Sequence, residues 1–235
     1  MPLLGKAAML LAFDIVEEAI AEHDDWHTHE HLPERLSIPG FLRGTRWVAL
    51  SGTPGYLVLY EVERLETLTS AQYRERLDNP TPWTRKMMPH YRGMTRGLCA
   101  VTHSFGAGMG GFALRVRFEA AHDAQAAIDD WLGEQVMPRL PARPGLGSVH
   151  LLRSALTAPM TSEQRIRGAD AGVDRAILAT GYLQDALSEL ARCELAEAEL
   201  EKHGATGVSA AMYQLAYALS AREVRARPTR KPRVE

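Results

Sequence analysis

Three histidines lie within five residues in the stretch DDWHTHEHLPERLSIPG, which begins at Asp24. His27 and His31 are four residues apart and therefore share one face of a helix, whereas His29 does not share it. Such a pair can exchange protons with a substrate near neutral pH, because the unperturbed pKa of imidazole is about 6.5. The same pair can instead be structural, or provide two ligands of a metal ion.

A metal site needs a third ligand, and no spacing in the sequence supplies one. The candidates are Glu30, His90 and His103. The sequence has no HExxH motif, no GxSxG elbow and no phosphate-binding loop of known spacing. We therefore predict that no cofactor is bound, and that any metal ion would bind to His27 and His31.

The composition is that of a globular protein of ordinary type. The chain has 235 residues, of which 46% are hydrophobic and 24% charged, and its net charge is −2. A charge so close to neutral argues against a general nucleic-acid-binding protein. Cys99 and Cys193 have no metal or redox spacing, and the apolar run 7–13 is too short to span a bilayer. We expect a soluble cytoplasmic protein, without a nucleic-acid or membrane partner, that binds a small molecule and is monomeric or homodimeric.

An internal repeat organises the chain. The segment DDWLGEQVMPRLPARPG, which begins at Asp129, matches the first stretch without a gap. The offset is 105 residues, as from Trp26 to Trp131, and it also pairs Phe13 with Phe118. A period of about half the chain indicates a duplicated domain.

Each half has the pattern β-α-β-β-α-β, which is that of ferredoxin-like domains. The predicted strands are 7–14, 41–50, 56–63, 98–105, 111–119, 147–156, 174–183 and 207–219. The predicted helices are 15–32, 67–79, 126–137 and 184–203. We predict an α+β fold of two such repeats, which pack as an α/β barrel within one chain. The first repeat is 1–105, a Gly-rich linker is 106–111, the second repeat is 112–220, and a basic, disordered tail is 221–235.

This duplicated order resembles the dimeric α/β-barrel superfamily, in which two such sheets pack face to face. Trp26, followed by His31-Leu32-Pro33 and then Pro39-Gly40, is similar to the EthD-like pattern. The resemblance covers about residues 7–220. It implies an isomerase, a decarboxylase or a cofactor-independent monooxygenase, acting on an apolar or aromatic substrate in a barrel cavity. The superfamily also contains haem enzymes, so the fold alone does not select a reaction.

The second copy predicts which side chains of the first helix face inward. Leu132 and Val136 lie on the apolar face of the second helix, and the offset transfers this face to His27 and His31. Histidine in place of leucine and valine is costly unless each ring has a polar partner or a wet cavity. We therefore predict a polar pocket in the first half alone, and an exposed His29.

We predict His31 and His27 as the catalytic acid and base. The predicted substrate-binding residues are Trp26, Tyr60, Trp83, His103 and Arg46. Trp83 stands on a proline-framed loop, and the others lie on a predicted helix or strand. Two alternatives remain at this stage: a non-catalytic protein that binds a small ligand or another subunit, and a metal- or haem-binding protein.

Overall fold

The first half of the chain folds into four strands with helices packed on one face. The computed structural model describes residues 3–156 and 159–226. The strands are β1 (Ala7–Ile15), β2 (Phe41–Ala49), β3 (Tyr56–Val62) and β4 (Tyr91–Gly106). The first helix consists of a 3-10 turn (Glu17–Ala19), α1 (Ile20–Trp26), a π-helical segment (His27–His31) and α2 (Leu32–Leu36). The other helices are α3 (Ala71–Asp78) and α4 (Pro82–Met87). We call residues 7–106 the first unit.

The second unit, residues 112–220, repeats this order. Its elements are β5 (Phe112–Ala120), α5 (Gln125–Asp130), a π-helical segment (Trp131–Val136), a 3-10 helix (Met137–Ala142), β6 (Leu146–Leu156), α6 (Ser162–Arg167), β7 (Ala171–Gly172), β8 (Arg175–Gly181), α7 (Gln184–Arg192), α8 (Glu197–Lys202) and β9 (Ala205–Ser220). A final helix, α9 (Ala221–Ala226), follows it.

The strands form one closed antiparallel barrel. Their order is β1-β3-β2-β9-β5-β8-β6-β4, and β4 pairs with β1 to close the ring. Each unit contributes four adjacent strands, and the two units join where β2 pairs with β9 and where β4 pairs with β6. The short β7 adds a parallel pairing to β4. The predicted α+β fold of two ferredoxin-like repeats in an intrachain barrel is confirmed.

The offset of 105 residues also holds in three dimensions. β1 begins at Ala7 and β5 at Phe112, and a glycine with positive φ precedes the next strand in each unit, Gly40 (φ 87°) and Gly145 (φ 91°). Glycine suits this left-handed conformation because it lacks a Cβ atom. Both first helices also contain a π-helical segment at the same place.

Alternate residues of each strand face opposite sides of the barrel wall. The inward residues come from all eight strands and form one apolar cluster, which includes Leu10, Trp47, Leu59, Leu178 and Tyr213. The outward residues pack under the helices, as a separate core in each unit. The barrel interior is therefore largely filled by side chains, as expected for eight strands, and a space of about 10 Å³ remains among them.

Three predicted elements need correction. β4 begins at Tyr91 and not at residue 98, and the preceding segment, predicted as a loop, contains α4. The predicted helix 184–203 is interrupted after Arg192, because Cys193 leaves the helical conformation (φ −113°, ψ −96°). In the tail, 221–226 is helical, and 227–235 lies outside the described residues, as do 157–158 of the insertion between β6 and β8. Among the described helices, none has the length and apolar character needed to cross a membrane.

Candidate functional site

The inward face of the first helix carries the histidines selected by the repeat. His23, Trp26, His27 and His31 are buried against the outer face of the first-unit sheet. His29 points to solvent, with 61% of its side chain exposed. The predicted orientation of His27, His29 and His31 is therefore confirmed.

His31 lines a small cavity between this helix and the sheet. Tyr60 of β3 and the apolar side chains of Met9 and Leu11 form its floor, and α3 contributes Tyr73. Its volume is about 30 Å³, enough for about two water molecules. This cavity lies outside the barrel wall and is not the predicted barrel cavity; inside the barrel a space of only about 10 Å³ remains, beside Trp47, Leu59 and Leu178.

Three polar atoms in this region have no hydrogen-bond partner among the described residues. They are Nδ1 of His27, Nδ1 of His31 and the hydroxyl of Tyr60, all of them buried. Buried polar atoms are normally paired, and leaving one unpaired costs about 1–3 kcal/mol. Two of the three belong to residues that line the cavity, so a ligand or water in the cavity is the natural partner.

Burial fixes the charge states of these groups at neutral pH. It lowers the pKa of His31 well below 6.5, and the nearby Arg35 cation lowers it further. The pKa of His27 is also well below 6.5, through burial and the proximity of His23. Burial raises the pKa of Tyr60 well above 10. The cavity therefore presents an imidazole that is neutral and only weakly basic at pH 7, and a phenol, which can donate a hydrogen bond.

The other predicted residues of the first helix have supporting positions. The ring centroid of Trp26 is 4.4 Å from that of His31, and its indole N–H donates to Glu30 at 3.2 Å. The ring centroids of His27 and His31 are 5.5 Å apart. Trp26 and His27 thus pack beside His31, but neither residue lines the cavity.

Three predicted binding residues lie elsewhere. Trp83 belongs to α4 and donates to Glu22 at 3.1 Å, so it does not stand on a loop at the cavity. His103 packs against Gly133 of the second unit. Arg46 donates to the backbone carbonyl of Asp24 at 3.0 Å and ties β2 to the first helix. None of the three lines the cavity.

His23, which the repeat also predicts on the buried side of the first helix, is not a predicted site residue and has a structural role. Its Nε2 lies 3.2 Å from the Tyr91 hydroxyl, and its Nδ1 lies 3.2 Å from a carboxylate oxygen of Asp24. Both ring nitrogens therefore have partners, whereas Nδ1 of His27 and Nδ1 of His31 have none among the described residues.

The donor set does not suit a resident metal ion. No group of three His, Cys, Asp or Glu side chains converges as a metal site in the described part of the chain. Of the candidate third ligands, His103 packs in the second unit, and the Glu30 carboxylate accepts hydrogen bonds from Trp26 and from Thr81 at 2.5 Å.

Polar side chains missed by the sequence analysis complete the cavity wall. Arg35 of α2 and Glu163 of α6 form an ion pair, and both are almost fully buried, at 1% and 2% exposure. Arg96 and Arg167 also line the cavity. The offset of 105 residues aligns Arg35 with Leu140 of the second repeat. An arginine in place of an apolar residue is a signal in the sequence that could have identified Arg35. No comparable signal exists for Glu163, which lies in the insertion.

The second unit has an apolar core at the equivalent positions. Leu132 and Val136 stand in place of His27 and His31. Ala179 is the counterpart of Tyr60, because it pairs with Leu114 across β5 and β8 in the way that Tyr60 pairs with Met9 across β1 and β3. Leu132, Ala179 and Leu140 are buried in the second-unit core. The predicted polar pocket is therefore confined to the first unit.

This difference predicts a gain in stability from the double variant H27L/H31V. Removing two buried, unpaired imidazoles is expected to raise the free energy of unfolding at pH 8 by about 1–3 kcal/mol per group. Urea denaturation measures this change. A double variant less stable than the wild type would contradict the claim that the two rings are unpaired.

The same histidines predict acid sensitivity. Their pKa values in the folded protein are lowered. Below pH ~6.5 the unfolded state therefore binds more protons than the folded state, and the protein becomes less stable as the pH decreases. Each buried histidine contributes a slope of up to about 1.4 kcal/mol per pH unit. Denaturation between pH 8 and 5 is expected to give a steeper loss for the wild type than for H27L/H31V, and equal slopes would contradict this.

Comparisons with known proteins support the fold. No family model matches the chain, and no curated protein matches it significantly. Solved structures do match. An anthrone oxidase-like protein superposes with a TM-score of 0.68 at 14% identity, covering 94% of this chain and 96% of that one. A candidate monooxygenase from Fusobacterium nucleatum subsp. nucleatum has a TM-score of 0.58 at 9% identity, with 93% and 96% covered.

A third solved structure, chlorite dismutase from Candidatus Nitrospira defluvii, has a TM-score of 0.56 at 11% identity, with 94% of each chain covered. Identities this low show the fold alone. Together with the closed eight-stranded barrel, these matches show that the chain has the dimeric α/β-barrel fold, with both halves in one polypeptide. The finer EthD-like resemblance stays a prediction.

Proposed function

We propose that this protein is an enzyme that removes a proton from an enolisable, mostly apolar small molecule bound beside His31. The observation that carries the proposal is a neutral imidazole and a phenol, both buried and unpaired among the described residues, that line one cavity in the first unit. The equivalent layer of the second unit is apolar. Buried, unpaired polar groups lower stability, so an imidazole and a phenol that face the same cavity favour a functional reason for keeping them.

The two groups have complementary roles in such a reaction. His31 accepts the proton from carbon, as a general base whose neutral form is favoured by burial. The hydroxyl of Tyr60 donates a hydrogen bond to the substrate oxygen, where negative charge develops as the enolate forms. Trp26 and His27 act as positioning residues that hold the His31 ring.

The resulting carbanion has a defined fate if dioxygen is the co-reactant. In an anthrone, the ring CH₂ becomes a carbonyl: one oxygen atom of dioxygen is retained, and the other leaves as water with the two hydrogens. The reaction consumes no reductant, so no nucleotide cofactor is needed. The anthrone oxidase-like and monooxygenase names of two structural neighbours favour this outcome over isomerisation or decarboxylation.

The experiment is aerobic incubation with anthrone, followed by anthraquinone formation and oxygen uptake. Y60F is expected to lower kcat by about 100-fold, the usual effect of losing one donor to a developing oxyanion. Y56F is the matched control, because Tyr56 lies on the same face of β3 but does not line the cavity. Anthrone turnover with unchanged kcat in Y60F would contradict the proposed role.

The same assay separates the alternatives. Binding of anthrone without any conversion would support a non-catalytic ligand-binding protein. Metal analysis and an absorbance scan of the purified protein test the metal- and haem-binding alternative.

A further inference from the structure

The insertion between β6 and β8 belongs to the second unit, but it closes the cavity of the first unit. Helix α6 belongs to this insertion and contributes Glu163, Gln164 and Arg167 to the cavity wall. After α6, the chain pairs with β4 through β7, at Thr95 and Arg96. A substrate of aromatic size cannot enter a space of about 30 Å³, so α6 must move for binding.

An ion pair helps to hold α6 over the cavity, beside the hydrogen bonds that Ser162 donates to Asp78 of α3. Arg35 donates to Glu163, and the two residues are 128 positions apart in the sequence. A buried cation without an anionic partner is strongly disfavoured. When α6 moves away, Arg35 retains Glu34, at 3.1 Å, as its remaining carboxylate partner and loses the buried one.

The cavity wall carries more positive than negative charge. Arg35, Arg96 and Arg167 all line it, whereas Glu163 is its one carboxylate among the described lining residues. Arg167 is neutralised by Asp170, through hydrogen bonds of 3.0 and 2.7 Å. Arg96 forms no ion pair with another described residue at salt-bridge distance. Opening of α6 therefore leaves a cationic wall opposite Tyr60 and His31.

We propose that Arg35 is a specificity-determining residue that binds a carboxylate of the substrate, and that Glu163 occupies the place of that carboxylate in the ligand-free protein. This inference rests on the proposed function, since it takes the cavity as the substrate site. The planar guanidinium suits a carboxylate because it can donate two parallel hydrogen bonds. The substrate class is then an enolisable aromatic acid, and a neutral analogue binds more weakly because it cannot replace Glu163.

The test compares 2-naphthoate with its neutral isostere 2-naphthamide, by isothermal titration calorimetry. E163Q removes the internal competitor and is expected to bind 2-naphthoate about tenfold more tightly than the wild type does, with little change for 2-naphthamide. E201Q, on the exposed face of α8, is the control and should match the wild type. R35L/E163Q, which has the leucine found at position 140, should lose the preference for the carboxylate while remaining folded.

Two outcomes would overturn the proposal: E163Q binding 2-naphthoate no more tightly than the wild type, including no detectable binding, or R35L/E163Q keeping the full preference. H31A separates this proposal from the catalytic one. It should lower anthrone turnover by at least about 100-fold and leave the preference for 2-naphthoate intact, because the preference resides on Arg35.

Discussion

Replacing His31 by alanine is expected to lower the turnover of anthrone by at least about 100-fold, the lower end of what general base catalysis contributes. The imidazole is the one histidine ring among the described residues that lines the cavity. Alanine removes the proton acceptor but leaves Tyr60 and the apolar wall in place. The loss should therefore appear mainly in kcat, while KM changes little.

The chain provides a matched control for this experiment. His29 lies on the same helix, two residues away, but its ring is exposed and bonds to the carbonyl oxygen of Asp25 at 3.0 Å. H29A should keep the wild-type rate. Wild-type turnover by H31A, or equal losses in H31A and H29A, would remove His31 from the mechanism.

The second large effect concerns the stability of the ion pair under α6. R35A is expected to lower the free energy of unfolding by about 3–5 kcal/mol, because it leaves the Glu163 carboxylate buried without a partner. Arg35 and Glu163 are each nearly inaccessible to solvent. Urea denaturation at pH 7 with a two-state fit gives the change.

Removing both charges should reverse most of this loss. In R35L/E163L the almost fully buried Glu163 carboxylate is absent as well and only the more exposed Glu34 loses its partner, and replacement of a buried ion pair by apolar side chains of similar size is often close to neutral. Leucine is compatible with the helix, since Leu140 occupies the equivalent place in the second unit. The claim that the pair is a buried unit would be contradicted if R35A lowered the free energy of unfolding by less than about 1 kcal/mol. A larger decrease in R35L/E163L than in R35A would contradict it as well.

Much of the fold was accessible from the repeat. Because Trp26 and Trp131 align at a constant offset, one amphipathic pattern predicted two helices, and the strands before and after them followed. The orientation of the histidines came from the same comparison, since Leu132 marks the apolar face. The apolar Leu132 of the second copy thus predicted that its polar counterpart in the first copy, His27, is buried.

The parts that could not be predicted depend on contacts between distant segments. Barrel closure brings α6 from the second unit over the first, and no local pattern connects Glu163 with Arg35 across 128 positions. The same closure decides which part of the long β4 pairs with the second unit. His103 was therefore misplaced, because it belongs to the part of β4 that pairs with β6.

Trp83 was misread for a local reason. The two prolines around Thr81 suggested a rigid loop, but Thr81 is the N-cap of α4, and Pro82 fits its first turn. Proline is tolerated there because the first N–H groups of a helix have no intrahelical partner. A capping residue followed by proline is equally a helix start, and the helix turns Trp83 towards Glu22.

A crystal structure with bound anthraquinone, the product of the proposed reaction, tests the central claim most directly. The account predicts the ring system between the first helix and the outer face of the first-unit sheet, with one carbonyl oxygen within hydrogen-bonding distance of Tyr60 and the ring edge beside His31. Anthraquinone inside the barrel or under the second-unit helix, or a first-unit cavity still closed at saturating ligand, would contradict it.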